Sequence, residues 1–323
     1  MRRTFVLLLA LLLLSACTRQ PDAPTPSKQK TLTVVTTLFP LYDFARQIGG
    51  DGVTVTLLLP PGTEAHSFEP RPSDLATVGK ADIFIYTSPL MEPWAARILS
   101  AAGNPSLRAV EAGRGAKYIP SRHQHPHEGE AKGEGEEGHQ GHRHDDQTLD
   151  PHIWLDFDNA RLMVKTIADA LAAKDPPHAE RFHANAARID RELTDLDTRF
   201  REGLSKCRTR KFVHGGHYAF GYLASRYGLD YRSAQAVNPD AEPTPAQLAD
   251  LLKMVRKEKL THVFAEEIVS PRIAEMIARE TGVSILTLHG GHNLTSDDLK
   301  QGTTFTQLME RNLQALRTGL GCR

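Results

Sequence analysis

The chain has 323 residues, with 39 basic and 39 acidic side chains, and so carries no formal net charge. That balance argues against a polyanionic partner, nucleic acid included. Some 40% of the residues are hydrophobic, and the roughly 290 residues that follow residue 30 are enough for two domains.

Residues 1–17 read as a lipoprotein signal peptide. Arg2 and Arg3 give a positive start, and residues 5–14 form an apolar run too short to span a bilayer comfortably. The run closes on Leu14-Ser15-Ala16-Cys17, which resembles a lipobox. A lipid on Cys17 would anchor the mature chain to the membrane, in the periplasm or on the outer face of the cell membrane. Residues 18–30, rich in Pro, Thr, Gln and Lys, cannot bury an apolar face and read as a tether.

Residues 31–176 are expected to form an N-terminal α/β lobe. A strand-like run at 31–36 is followed by a short helix at 41–48, ended by Gly49-Gly50. A second strand at 53–59 stops at Pro60-Pro61-Gly62, a helix follows at 73–79, and a third strand at 83–86. Alternation of strand and helix argues a parallel sheet. Residues 122–147 break the pattern: six histidines (His123, His125, His127, His139, His142 and His144) sit among Gly, Glu and Asp without apolar periodicity, a disordered histidine-rich loop. Order resumes at Asp150.

Residues 177–206 read as a connecting helix. Phe182, Ile189, Leu193, Leu196, Phe200 and Leu204 recur at spacings of three, four and seven, after Pro176-Pro177. Such a helix would reach roughly 40 Å. Residues 207–323 repeat the α/β theme, with strands at 211–213, 262–265 and 283–288. A helix starts at the capping box Thr244-Pro245-Ala246-Gln247, another follows Ser270-Pro271 and runs to Gly282, and the last carries Phe305, Leu308, Met309, Leu313 and Leu316. The fold class is therefore α/β, two lobes with mostly parallel sheets flanking one long helix. Cys207 and Cys322, in an exported chain, are expected to pair as a disulfide.

The histidines outside the loop are not scattered at random. His66 lies just past the strand at 53–59, His214 and His217 at the end of that at 211–213, and His289 and His292 after that at 283–288. Ligands of open α/β sheets bind beyond the carboxyl ends of strands. His152 lies where order resumes. Imidazole suits zinc, copper and nickel better than magnesium, calcium or manganese. Three or four such ligands close a tetrahedral shell, and affinity should fall as pH drops through about 6.5.

Three motifs carry a family resemblance: Pro60-Pro61-Gly62-Thr63-Glu64-Ala65-His66-Ser67-Phe68-Glu69-Pro70, then Asp150 to Asp156, then His217-Tyr218-Ala219-Phe220-Gly221-Tyr222. In order, over nearly the whole mature chain, they resemble the substrate-binding proteins of ABC transporters that import zinc and manganese. The resemblance implies two lobes joined by a backbone helix, a metal site in the cleft between them, a monomer, and an ABC permease with its ATPase as partners. It implies His66, His152 and His217 as metal ligands. At the fourth place relatives carry a carboxylate, whereas this chain has His289-Gly290-Gly291-His292-Asn293. His292 or His289 would take that place, with His292 preferred. An all-imidazole set tilts selectivity from manganese to zinc.

Other assignments follow from the residues themselves. His214 is read as structural or as support for a ligand. Glu64, Glu266 and Glu267 could orient ligand histidines but are expected to be solvated carboxylates. The resemblance implies that the histidine-rich loop is a weak zinc collector, since zinc-type relatives often carry such a loop. A zinc chaperone or adhesin on the same fold is the nearest alternative. A zinc hydrolase fits less well, because the chain has no His-Glu-x-x-His helix or Gly-x-Ser-x-Gly elbow.

Overall fold

The computed structural model describes residues 31–121, 149–237, 242–268 and 270–323. The expected signal peptide, tether and histidine-rich loop lie outside the described residues.

The first sheet consists of β1 (Leu32–Thr36), β2 (Val53–Leu57), β3 (Ile83–Tyr86) and β4 (Arg108–Glu111), all parallel, in the order β2-β1-β3-β4. The second consists of β5 (Lys211–His214), β6 (Asp230–Ser233), β7 (His262–Glu266) and β8 (Ser284–Leu288), also parallel, in the matching order β6-β5-β7-β8. The central strands are nearly continuous runs of buried apolar residues, as strands covered on both faces require. In each sheet the strand order reverses beside the first strand, between β1 and β3 and between β5 and β7. Such switch points open crevices at the carboxyl ends of the strands.

Helices α1 (Phe39–Gly49), α2 (Pro72–Gly79) and α3 (Ala95–Ala101) belong to the first half. Helices α4 (Phe157–Lys174) and α5 (Ala179–Gly203) stand between the two sheets in sequence. The second half adds α6 (Gly221–Tyr227), α7 (Pro245–Lys257), α8 (Arg272–Thr281), α9 (Ser296–Lys300) and α10 (Phe305–Leu320). The Thr244 capping box forms as expected, with the Thr244 N–H donating to Gln247 Oε1 (2.7 Å) and the Gln247 N–H donating to Thr244 Oγ1 (3.2 Å). Among the described residues no helix is long and apolar enough to cross a membrane.

Helix α5 is the long helix read from periodicity. Its 25 residues extend about 37 Å, and it buries Phe182, Ile189, Leu193, Leu196 and Phe200. It is not a lone strut. Arg161 of α4 reaches Asp190 of α5 (2.7 Å), and Arg226 of α6 donates to Asp197 of α5 (2.7 Å) and to Asp156 at the start of α4 (3.0 Å). One apolar core runs through α1, α4, α5 and α10 and draws on both halves, with the Phe44 and Phe305 rings meeting edge to face at 5.3 Å. The opposite faces of the sheets bury smaller clusters, around Phe84 and Trp94 in the first and Val263 and Ile277 in the second. Cys207 and Cys322, 115 residues apart, form the disulfide and fasten the end of α10 to the entry of the second sheet.

Candidate metal centre

Four loops at the carboxyl ends of the strands meet. The loop after β2 carries His66, and a 3-10 turn at Ile153–Leu155, just before α4, presents His152. The loop after β5 carries His217, and the loop after β8 carries His289 and His292. The Nε2 atoms of His66 and His152 are 3.0 Å apart, and those of His152 and His217 are 3.2 Å apart. One donor atom from each of these three residues lies within 4.8 Å of the others. His152 and His217 are fully buried and His66 is partly buried.

Three imidazole nitrogens cannot satisfy one another, since each neutral ring has one lone pair and one N–H. Around a cation the same convergence is favourable: two nitrogens bound at 2.0–2.1 Å to one tetrahedral zinc ion stand about 3.3 Å apart. The observed spacings suit that edge.

Carboxylates fix the rings. His152 Nδ1 lies 2.7 Å from Asp150 Oδ1, which also accepts the His152 N–H at 3.0 Å. His217 Nδ1 lies 2.7 Å from Glu266 Oε1, a charge contact outside hydrogen-bond geometry, and Glu266 Oε2 accepts the His217 N–H at 3.4 Å. For His152, an Nδ1–H directed at the carboxylate leaves Nε2 as the lone pair, which is how proteins orient metal-binding imidazoles. The expectation that Glu266 is solvated is therefore corrected: it is 7% exposed and lies behind His217. It fits because Gly216 stands opposite, where a Cβ would come within 2.4 Å of the carboxylate. Glu64 is likewise engaged, with Oε1 accepting the His66 N–H at 3.0 Å and Oε2 lying 3.9 Å from His292 Nε2. Glu267 accepts the Gly290 N–H at 3.1 Å and has a 4% exposed side chain, so it is not solvated either.

The titration behaviour follows from burial. Desolvation, reinforced by the neighbouring imidazoles, holds His66 and His152 far below the usual imidazole range, so both are neutral. His292 is lowered mainly by burial. Burial opposes charge on His217 as well, but the Glu266 carboxylate outweighs it and raises that imidazole. Burial pushes Asp150 up to about 7. His214, fully buried beside Phe220 at the end of β5, is pulled down to about 4 by burial, in keeping with a structural role.

The two histidines of the β8 loop part company. His292 is fully buried, with ring centroids 5.9 Å from His217 and 6.5 Å from His66. Both its ring nitrogens lack a hydrogen-bond partner. It forms a second close group of donor atoms with Glu64 and Glu266. His289 is held by Asn312 of α10, which accepts its N–H (2.7 Å) and donates to its carbonyl (2.8 Å), and its ring lies 4.0 Å from Glu267. The structure thus brings His66, His152 and His217 together with His292 alongside, and leaves His289 apart.

Comparisons with known proteins agree with this geometry. The family model described as the periplasmic zinc-uptake complex component A matches residues 34–319. Zinc-binding lipoprotein AdcA of Streptococcus pneumoniae is 35% identical over 319 residues, covering 98% of this chain and 61% of the relative. The chain thus spans about three fifths of the length of the AdcA relatives it matches. High-affinity zinc uptake system protein ZnuA of Bacillus subtilis is 32% identical over 317 residues, covering 98% of this chain and 96% of the relative. Among solved structures, the Zn(II)-bound ZnuA-like domain of S. pneumoniae AdcA superposes with a TM-score of 0.73 at 33% identity, over 90% of this chain and 99% of that one. The laminin-binding protein Lmb of Streptococcus agalactiae, described as having adhesin and metal transporting activity, gives 0.76 at 28% identity, over 90% and 100%. By the extent of the family match and the identity to these relatives, this chain belongs to the zinc-uptake complex component A family.

Proposed function

We propose that this chain is the extracytoplasmic binding component of a zinc importer, which takes up Zn2+ between its two sheets and passes it to an ABC permease driven by its ATPase. The observation that carries the reading is the convergence of the His66, His152 and His217 Nε2 atoms from both halves of the chain, 3.0 and 3.2 Å apart in sequence along the group. His292 is the fourth ligand in this reading. Its buried ring nitrogens make no hydrogen bond, a cost that coordination would remove. His289 is not a ligand, because Asn312 holds its backbone away from the group.

The family is a binding component of uptake rather than an enzyme, and the ion leaves as it arrived. The residues' work is therefore selection and retention. Four neutral imidazoles favour a late transition metal over manganese, which prefers carboxylate and water oxygens. Asp150 and Glu266 pre-orient two of the rings, so less ordering is needed when the ion arrives. In this reading Cys17 carries a lipid that holds the chain at the membrane, and residues 122–147 collect zinc weakly nearby.

The test is metal titration of a chain lacking residues 122–147 in competition with a chromophoric chelator. One tight Zn2+ per chain, with manganese bound far more weakly, supports the reading. Loss of tight zinc binding on removal of 122–147 would place the principal site in that segment instead.

A further inference from the structure

We propose that Asn293 is a positioning residue that latches the loop carrying His292 to the loop carrying His66, and so sets how slowly the ion leaves. The inference rests on the zinc-binding reading above. Asn293 is fully buried. Its Nδ2 donates to the carbonyls of Pro60 and Thr63, both at 2.8 Å, and its Oδ1 accepts the Leu294 N–H at 2.8 Å. Two carbonyl acceptors and one N–H donor fix the orientation of the amide, and both of its N–H groups are used.

The contacts join distant parts of the chain. Pro60 and Thr63 open the loop that ends at His66, 233 and 230 residues from Asn293. Backbone bonds run alongside: Gly62 N–H to the Leu294 carbonyl (3.0 Å) and Phe39 N–H to the His292 carbonyl (3.0 Å). The loop after β8 is thus pinned to the first half at His292 and at the two residues that follow it. Separating the donors contributed by the two halves requires breaking this set together with the bond from Trp154 Nε1 to the Gly290 carbonyl (2.8 Å), and within the set Asn293 supplies the side chain that substitution can remove. Aspartate has nearly the same shape, but it would set a carboxylate oxygen against two carbonyls.

The experiment is stopped-flow release of zinc into excess chelator from the full chain. Loss of the two donated bonds predicts release about 30-fold faster from Asn293→Ala, with the association rate little changed. Asn293→Asp should release faster still. In a His292→Ala background, Asn293→Ala should add little, because no ligand remains for the latch to place. A merely structural role would instead give the same loss in both backgrounds, which would overturn the inference. So would wild-type release from Asn293→Ala in a chain that binds zinc tightly. If Asn293→Asp fails to fold, Asn293→Leu, which keeps the shape and removes the donors without adding charge, supplies the comparison. A wild-type chain without tight zinc would overturn the zinc-binding reading itself, and the inference with it.

Discussion

Substitution of Glu266 by Gln removes a charge from behind His217 while keeping the size of the side chain. Glu266 Oε1 lies 2.7 Å from His217 Nδ1, with Glu266 7% exposed and His217 fully buried, so solvent screens the pair little. Removing the carboxylate behind a metal-binding imidazole costs about 10- to 100-fold in affinity, roughly 1.4–2.7 kcal/mol. The loss should depend on pH. In the metal-free chain, burial opposes the His217 proton but Glu266 outweighs it and raises the imidazole's pKa, so zinc must displace a proton that the wild type holds more firmly. Removing the carboxylate weakens the ligand and also weakens the competing proton. The deficit of Glu266→Gln is therefore expected to be largest near pH 8 and to shrink toward acid. Competition against a chromophoric chelator across that range measures it. Equal affinities at pH 8 would refute the reasoning, and a deficit that grew on acidification would refute the proton argument.

Three further outcomes follow. His217→Ala removes the donor at the junction of the two halves and should lower zinc affinity by more than about 100-fold in the same competition assay, with cooperative unfolding retained. Cys322→Ser opens a loop of 115 residues and should cost about 2–4 kcal/mol in urea unfolding while leaving zinc affinity unchanged. Glu267 is raised to about 8, by burial first and by Glu266 second, from an ordinary value of 4.5. The folded state then binds more protons than the unfolded state between those values, so the stability of the metal-free chain falls as pH rises from 4.5 to about 8. Glu267→Gln should escape that loss, melting higher than the wild type above about pH 8 and alike near pH 4.5.

The strands with apolar centres and the long helix were legible because burial leaves a period in the sequence. The α5 stripe from Phe182 to Phe200 is an example. Strands β4 and β6 leave little pattern because they are short edge strands that mix charged and apolar residues, Arg-Ala-Val-Glu and Asp-Tyr-Arg-Ser. Helix α4 does carry a sequence signal: Asp156 caps it, accepting the N–H groups of Asp158 and Asn159, and Ala160, Val164, Ala168 and Leu171 repeat at helical spacing. At the site, the histidines stood out by chemistry and by their place after strands. Glu266 did not, because its burial depends on Gly216, 50 residues earlier, leaving room for it. The different surroundings of His289 and His292 are not visible in the sequence either: Asn312 of α10 holds the His289 backbone, while Phe39 and Asn293 draw His292 and its neighbour toward the first half.

The proposed site shares one zinc ion between donors from both halves. Anomalous X-ray scattering recorded above and below the zinc absorption edge, on crystals of the zinc-loaded chain, would locate that ion. One strong zinc peak is expected within bonding distance of His66, His152, His217 and His292 Nε2. A peak ligated from one half alone, or one that includes His289 in place of His292, would contradict it.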